Sequence, residues 1–116
     1  MCVYRVPQSK YKNKKIESDG QKFDSKKEYN RYLELMIYQE SGVISNLKRQ
    51  VPFIICDKVR DENGKLLQRE AKYVADFTYV QDGRLVVEDA KGYRTELYKL
   101  KKKLMLERYG IIIKEV

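Results

Sequence analysis

Two acids and a lysine in the second half of the chain have the types and spacing for metal-assisted chemistry on phosphates: Asp76, Asp89 and Lys91. Between the acids lies Asp82-Gly83, which reads as a two-residue hairpin turn that pairs Gln81 with Arg84. Paired residue numbers then keep a constant sum, which sets Asp76 directly opposite Asp89. Opposed Cβ atoms sit about 4.5–5.5 Å apart, and like charges there destabilise a hairpin unless something neutralises them. A divalent cation does so. Mg²⁺ takes carboxylate and carbonyl oxygens and keeps several waters, so two protein acids are enough. Such an ion lowers the pKa of its water and stabilises charge building up on phosphate oxygens. Lys91 comes two residues after Asp89 and returns to the same face, where an ammonium can orient the attacking water. Glu88 points to the opposite face, beside Phe77; a one-residue slip would exchange it with Asp89.

The plain alternative is an accidental D-x-K string in a lysine-rich chain, with Asp76 and Lys91 as a surface ion pair. Position argues for a site. Asp76 follows Ala75 inside an apolar strand, Asp89 follows Val86-Val87, and both map to one spot.

The elements that must position these residues can be read from periodicity. Ser25-Lys26-Lys27-Glu28 is a capping box, and Tyr29, Tyr32, Leu33, Leu35, Met36 and Ile37 recur behind it at helical spacing until Ser41-Gly42. A connector over 43–50, with room for a short strand, leads to three strands, over 51–60, over 66–80 with room for a bend or bulge, and over 85–91. Asn63-Gly64 and Asp82-Gly83 are the turns between them. Thr95 caps a second helix that runs to Tyr109 with Leu97, Leu100 and Leu104, and Met105 beside them, as its expected buried stripe, and Gly110 stops it. Ile111-Ile112-Ile113 reads as a buried strand, reached by a crossover into a parallel pair. The expected fold is mixed α/β, in the order α-β-β-β-α-β, with helices packed on a mixed sheet. Residues 1–22 form a basic arm and 23–116 a single domain.

Composition narrows the chemistry. The 116 residues suit one domain with its own core. Lys and Arg number 25 against 17 Asp and Glu, a net charge of +8 that attracts polyanions, nucleic acid above all. Histidine is absent, which removes His-based zinc sites, Ser-His and Cys-His pairs and histidine bases. Two cysteines make neither a disulfide framework nor a zinc site and suit a reducing cytoplasm; Cys56, in the run Phe53-Ile54-Ile55-Cys56, reads as a small buried hydrophobe. No apolar stretch approaches a membrane span, so no membrane partner is expected.

Asp76, followed by Glu88-Asp89-Ala90-Lys91, resembles the bipartite motif of the PD-(D/E)XK nuclease superfamily, and the element order matches that superfamily's restriction-endonuclease-like core. More narrowly, Phe23-Asp24-Ser25-Lys26-Lys27-Glu28, Ala75-Asp76-Phe77 and Val87-Glu88-Asp89-Ala90-Lys91-Gly92, with Thr95 and the lysine-rich helix after it, resemble a family of small phage and prophage proteins assigned to it. The likeness covers roughly residues 20–116. Ala75 stands where the superfamily name has proline, a position that varies widely.

The resemblance implies that Asp76 and Asp89 ligate Mg²⁺ or Mn²⁺, helped by the Ala90 carbonyl, and that Lys91 is the catalytic lysine. Glu28 matches an acid on the first helix that several members use as a further metal ligand; the residues alone already explain it as the capping-box partner, and both roles stay open. Lys99, Lys102 and Lys103 lie off the expected leucine stripe, on a helix that borders the site in similar nucleases. There they would meet phosphates, as would Lys12, Lys14 and Lys15 of the arm. For each of these lysines a solvated face is the plainer reading. The resemblance thus implies Mg²⁺-dependent endonucleolytic hydrolysis of DNA in the cytoplasm of a phage host, for recombination, replication or packaging. Its narrower form is a structure-selective, junction-resolving homodimer. The competing expectations are a non-catalytic module that holds DNA or a protein, and a basic regulatory protein whose motif is accidental.

Overall fold

In the computed structural model, residues 16–18, 21–90 and 94–116 are described. Ser25 caps the first helix, α1 (Lys26–Glu40): its backbone is extended, and its hydroxyl accepts the Glu28 backbone N–H at 3.1 Å. Before it, β1 (Ile16–Ser18) and β2 (Gln21–Phe23) pair antiparallel, so the end of the basic arm is a short hairpin. After it come β3 (Ser45–Cys56), the small pair β4 (Val59–Arg60) and β5 (Leu66–Gln68), then β6 (Ala71–Gln81) and β7 (Arg84–Asp89). Helix α2 (Glu96–Tyr109) and β8 (Lys114–Glu115) close the chain. The main sheet runs β3-β6-β7-β8; its first two pairings are antiparallel and β7–β8 is parallel. The mixed α/β class, the element order of the core and the flanking helices are as expected.

The turn at Asp82-Gly83 is as tight as expected. Asp82 has φ 53° and Gly83 φ 76°, and Gln81 pairs with Arg84. Two successive positive φ values make the primed turn whose twist matches that of the strands. Phe77 pairs with Glu88 in the same register. Gly110, at φ 69°, ends α2, its N–H bonded to Leu106 O.

Several boundaries differ from expectation. The first strand starts at Ser45, inside the expected connector, and the expected second strand breaks at Arg69-Glu70 into β5 and β6. Asn63-Gly64 sits in a wider loop tied by Asp61, whose Oδ1 accepts the N–H groups of Asn63 and Lys65. Cys56 is exposed, because its neighbour Ile55 takes the inward position on β3. Of the isoleucine run only Ile113 is buried; Ile112 is exposed, and the strand is Lys114–Glu115. Helix α2 buries Tyr98 and Met105 with Leu104 packed beside them, while Leu97 and Leu100 are 60% and 51% exposed, so only the Leu104 and Met105 end of the expected stripe faces the core. Helix α1 buries Leu35 and leaves Leu33, Met36 and Ile37 exposed. Among the described residues, no helix is long and apolar enough to cross a membrane.

Two cores lie on opposite faces of the sheet. Leu35, Ile44, Phe77 and Tyr79, with Val86 beside them, form the α1 core. Ile55, Tyr73, Ala75, Val87, Tyr98, Met105 and Ile113 form the α2 core. Each fully buried large side chain contributes about 1.5–3 kcal/mol. The distribution along β3 and β6 breaks simple alternation. Leu47, Phe77 and Tyr79 belong to the α1 side, but Phe53, Ile55, Tyr73 and Ala75 belong to the α2 side, although all carry odd numbers. Both strands therefore exchange faces between the pairs Arg49–Phe77 and Val51–Ala75, where Gln50 and Asp76 lie, and the register does not slip.

One charged pair is built into the α1 side. Glu88 is fully buried; Arg31 donates to it twice, Nε to Oε1 at 2.9 Å and Nη2 to Oε2 at 2.7 Å, and the Tyr79 hydroxyl donates as well. The hydrogen bonds to Glu88 hold the Arg31 guanidinium still more firmly in its charged form. Removing one partner strands a buried charge, so Arg31→Ala should cost about 3–5 kcal/mol in urea unfolding; a loss near zero would mean that Glu88 finds water. A second cluster ties α2 to β8. Tyr98, Lys102 and Arg94 all reach the Glu115 carboxylate, at 2.8, 3.1 and 3.0 Å. The Tyr98 hydroxyl, then Lys102 and Arg94, outweigh burial and lower its pKa to about 2. A depressed carboxyl pKa adds stability above its unfolded value that is lost as pH falls toward the folded one. Melting temperature should therefore drop between about pH 4.5 and 2, and Glu115→Gln should flatten that drop.

Candidate active site

The exchange of faces at Gln50 and Asp76 is what builds the site. Asp76 stands where β6 passes from one core to the other, so its carboxylate has neighbours from both sides. Oδ2 accepts the backbone N–H of Ala90 at 2.8 Å, at the end of β7. Oδ1 lies 3.4 Å from the Gln50 amide nitrogen, which also donates to Glu28 Oε2 at 2.8 Å. Gln50 has φ 52°, a left-handed conformation in the middle of a strand. For a residue with a Cβ this costs on the order of 1–2 kcal/mol, and such strain gathers at functional sites.

Glu28 reaches the same spot from the first turn of α1 and is 3% exposed. Of the two roles left open for Glu28, the structure shows a hydrogen-bonding one at the helix start, although the N–H it accepts is that of Asp24 rather than of the N-cap Ser25. Oε1 accepts the Asp24 N–H at 3.2 Å, near the helix start, while Oε2 takes Gln50 and, at 3.3 Å, Arg49. Arg49 is itself stacked over the Phe23 ring, 3.9 Å from its centroid. Burial, then the charge of Asp76, raise the Glu28 pKa, and the Asp24 N–H and Arg49 only partly offset them. A buried carboxyl raised by a neighbouring carboxylate marks a place where negative charge is under-compensated.

Asp89 closes the β7 ladder and is 1% exposed. The Tyr73 hydroxyl donates to its Oδ2 at 2.6 Å. That phenol is raised above its ordinary pKa by burial and by Asp89, so it serves as a donor that fixes the carboxylate's orientation. Glu88, next in sequence, faces the Arg31 pair on the other side of the sheet, as expected. A cleft of about 440 Å³ opens onto the site, lined by Gln50, Tyr73, Asp76, Thr95, Tyr98 and Lys101 among others.

The structure thus joins Asp76, Ala90 and Glu28 by direct or one-bridge hydrogen bonds and sets Asp89 behind Tyr73 on the cleft wall. Lys91, Lys12, Lys14 and Lys15 lie outside the described residues. On α2, Lys99 pairs with Glu96 at 3.1 Å and Lys102 with Glu115, while Lys103 is exposed; none of the three lines the cleft. Lys101 does, because the inward face of α2 is set by Tyr98 and Met105 with Leu104 beside them. Gln50, Tyr73 and Lys101 were not singled out from sequence. The only sequence signal for Tyr73 was its apolar strand setting, and nothing in the sequence marks Gln50 as left-handed.

Among the described residues, no group of three His, Cys, Asp or Glu side chains is gathered closely enough to hold a metal ion. The donors nevertheless fit a hard cation in kind: Asp76, Glu28 and Asp89 offer carboxylate oxygens and Ala90 a carbonyl, and the raised Glu28 shows charge that a cation would relieve.

No curated protein and no solved structure matches the chain. A family does match, over residues 8–115. The chain belongs to the family described as Protein of unknown function (DUF1064).

Proposed function

We propose that the protein is a nuclease that hydrolyses DNA phosphodiester bonds with the help of Mg²⁺ or Mn²⁺. The observation that carries this reading is the meeting of Asp76 with Glu28 through Gln50 and with Ala90 through its backbone N–H, at a cleft lined by Asp76, Gln50 and Tyr73, the last of which donates to buried Asp89. Asp76, Asp89, Glu28 and the Ala90 carbonyl would hold the cation. When bound, the ion would activate water and offset charge on the scissile phosphate. The chain's own residues do the rest. Tyr73 keeps Asp89 in one orientation, and the Ala90 N–H keeps Asp76 in another. Lys101 offers an ammonium in the cleft to a phosphate, and Lys91 is the assigned catalytic lysine by position two residues after Asp89. The net charge of +8 supports a polyanionic substrate. The narrower reading, a junction-resolving phage endonuclease working as a homodimer in the host cytoplasm, rests on the family resemblance of its motifs alone.

A second reading is a non-catalytic module that binds nucleic acid or protein. It is favoured by the lack of a ready-made triad of metal-binding side chains among the described residues. The two readings separate on plasmid, linear and four-way-junction DNA incubated with and without Mg²⁺. The nuclease cleaves at least one of them, EDTA stops it, and Asp76→Asn slows it on the order of 10²–10³-fold. Asp89→Ala and Lys91→Ala should abolish cleavage while circular dichroism stays native. Binding without cleavage of any substrate would favour the second reading.

Protons compete with a cation for Glu28. Its raised carboxyl means that ionised Glu28 costs stability without metal, a cost absent below the unfolded pKa and complete once pH passes the folded one. The rise in melting temperature caused by saturating Mn²⁺ should therefore grow as pH climbs through that raised value, and Glu28→Gln should remove the pH dependence. A manganese shift equal at acid and neutral pH would take Glu28 out of the cation site.

A further inference from the structure

The Asp82-Gly83 turn accounts for Asp76 and Asp89, and the helix cap accounts for part of Glu28. Neither accounts for Gln50. This residue adopts φ 52° inside a twelve-residue strand and belongs to neither hydrophobic core. Its one amide nitrogen meets two carboxylates from different elements, Glu28 of α1 at 2.8 Å and Asp76 of β6 at 3.4 Å. The neighbouring residues do not share the strain: Arg49 pairs with Phe77 and Val51 with Ala75 in unbroken register. The left-handed backbone is thus local to the residue whose side chain spans the acids.

We propose that Gln50 is the positioning residue of this site, an uncharged clamp that holds Glu28 and Asp76 as one carboxylate pair before any cation arrives. An amide suits the task. Its NH₂ group carries two donors, enough for one bond to each acid, and it adds no charge of its own. A lysine or arginine there would neutralise the pair permanently and exclude a cation. An acid would drive the pair apart. Among the described contacts, Arg49 donates to Glu28, the Ala90 N–H donates to Asp76, and the Gln50 amide meets both acids. The clamp itself is a property of the metal-free protein; that it prepares a cation site rests on the nuclease reading.

The test is a double-mutant cycle in EDTA. Melting temperature is measured for Gln50→Met with and without Asp76→Asn, and for Gln50→Glu. Methionine keeps the length and the left-handed backbone but loses the donors, and should lower the melting temperature by roughly 5 °C. With one charge already removed by Asp76→Asn, the same change should cost much less, because there is little repulsion left to bridge. A side chain that merely packs would give equal losses in both backgrounds, and that result would overturn the proposal. Gln50→Glu should melt lower than Gln50→Met in EDTA, and saturating Mn²⁺ should restore it. A metal-free Gln50→Glu protein as stable as wild type would also overturn the clamp. Gln50→Gly separates backbone from side chain: it accepts positive φ, so its loss should be smaller than that of Gln50→Met. A coupled cycle together with indifference of every variant to Mn²⁺ would uphold the clamp and remove the nuclease reading instead.

Discussion

Glu28 and Asp76 carry the same charge, come from different elements and lie one amide apart, and much of the fold can be understood as the means of keeping them there. Two nearby carboxylates repel, and burial makes the repulsion worse by thinning the screening water. The protein holds them with directional donors. Asp24 and Arg49 bind Glu28, Ala90 binds Asp76, and Gln50 binds both. Each of these donors depends on a larger feature: the capped start of α1, the stacking of Arg49 on Phe23, the register of the β6–β7 hairpin, and the left-handed step in β3.

The exchange of faces at Gln50 and Asp76 has a further consequence. In a regular strand, Asp76 would project to one side of the sheet and could meet residues of one helix only. Because β3 and β6 serve the α1 core on one side of this point and the α2 core on the other, Asp76 sits between the two. It can take a neighbour from α1 and another from the end of β7. The break costs some backbone strain at Gln50, which lies within the stretch of β3–β6 pairing from Lys48 to Ile54 that keeps one register. The adjacent acids Glu88 and Asp89 show the opposite logic, since strand alternation separates them fully. Glu88 is consumed by Arg31 and Tyr79 in the α1 core, and Asp89 accepts the hydroxyl of Tyr73, a residue that lines the cleft. The first arrangement spends the carboxylate on structure. The second places it one hydrogen bond from an opening.

What could be read from the sequence was local. The Asp82-Gly83 turn, the caps at Ser25 and Thr95, the stop at Gly110 and the order of the core elements each follow from a few neighbouring residues, and the register set by that turn holds as far as Phe77 and Glu88. What could not be read was long-range. Leu97 and Leu100 have the spacing of a core stripe with Leu104, but tertiary packing turns Tyr98 inward beside Met105 and Leu104 and leaves the first two leucines exposed. Helical periodicity finds a stripe without saying which of two overlapping stripes turns inward, and the inward turn of Tyr98 brings Lys101 to the cleft in place of Lys99, Lys102 and Lys103. Cys56 and Ile112 were misjudged for a related reason. An apolar run near a strand end still alternates, and only every second member is buried.

Gln50 shows the deeper limit. A left-handed residue inside a strand is legible when it is glycine, because glycine is the type that adopts it without penalty. A glutamine there gives no such sign; the acids that its amide meets lie 22 and 26 residues away in the chain. Asn46, earlier in the same strand, is left-handed too, at φ 55°. Among the described residues, what sets Gln50 apart is that its side chain meets the two acids. A sequence that ignored the acids would relax the backbone into the ordinary extended form, return β3 and β6 to simple alternation, and send Asp76 to one face of the sheet. The strain at Gln50, the switch between cores and the meeting of Glu28 with Asp76 are therefore one structural fact, and the chemistry of the site depends on its being maintained.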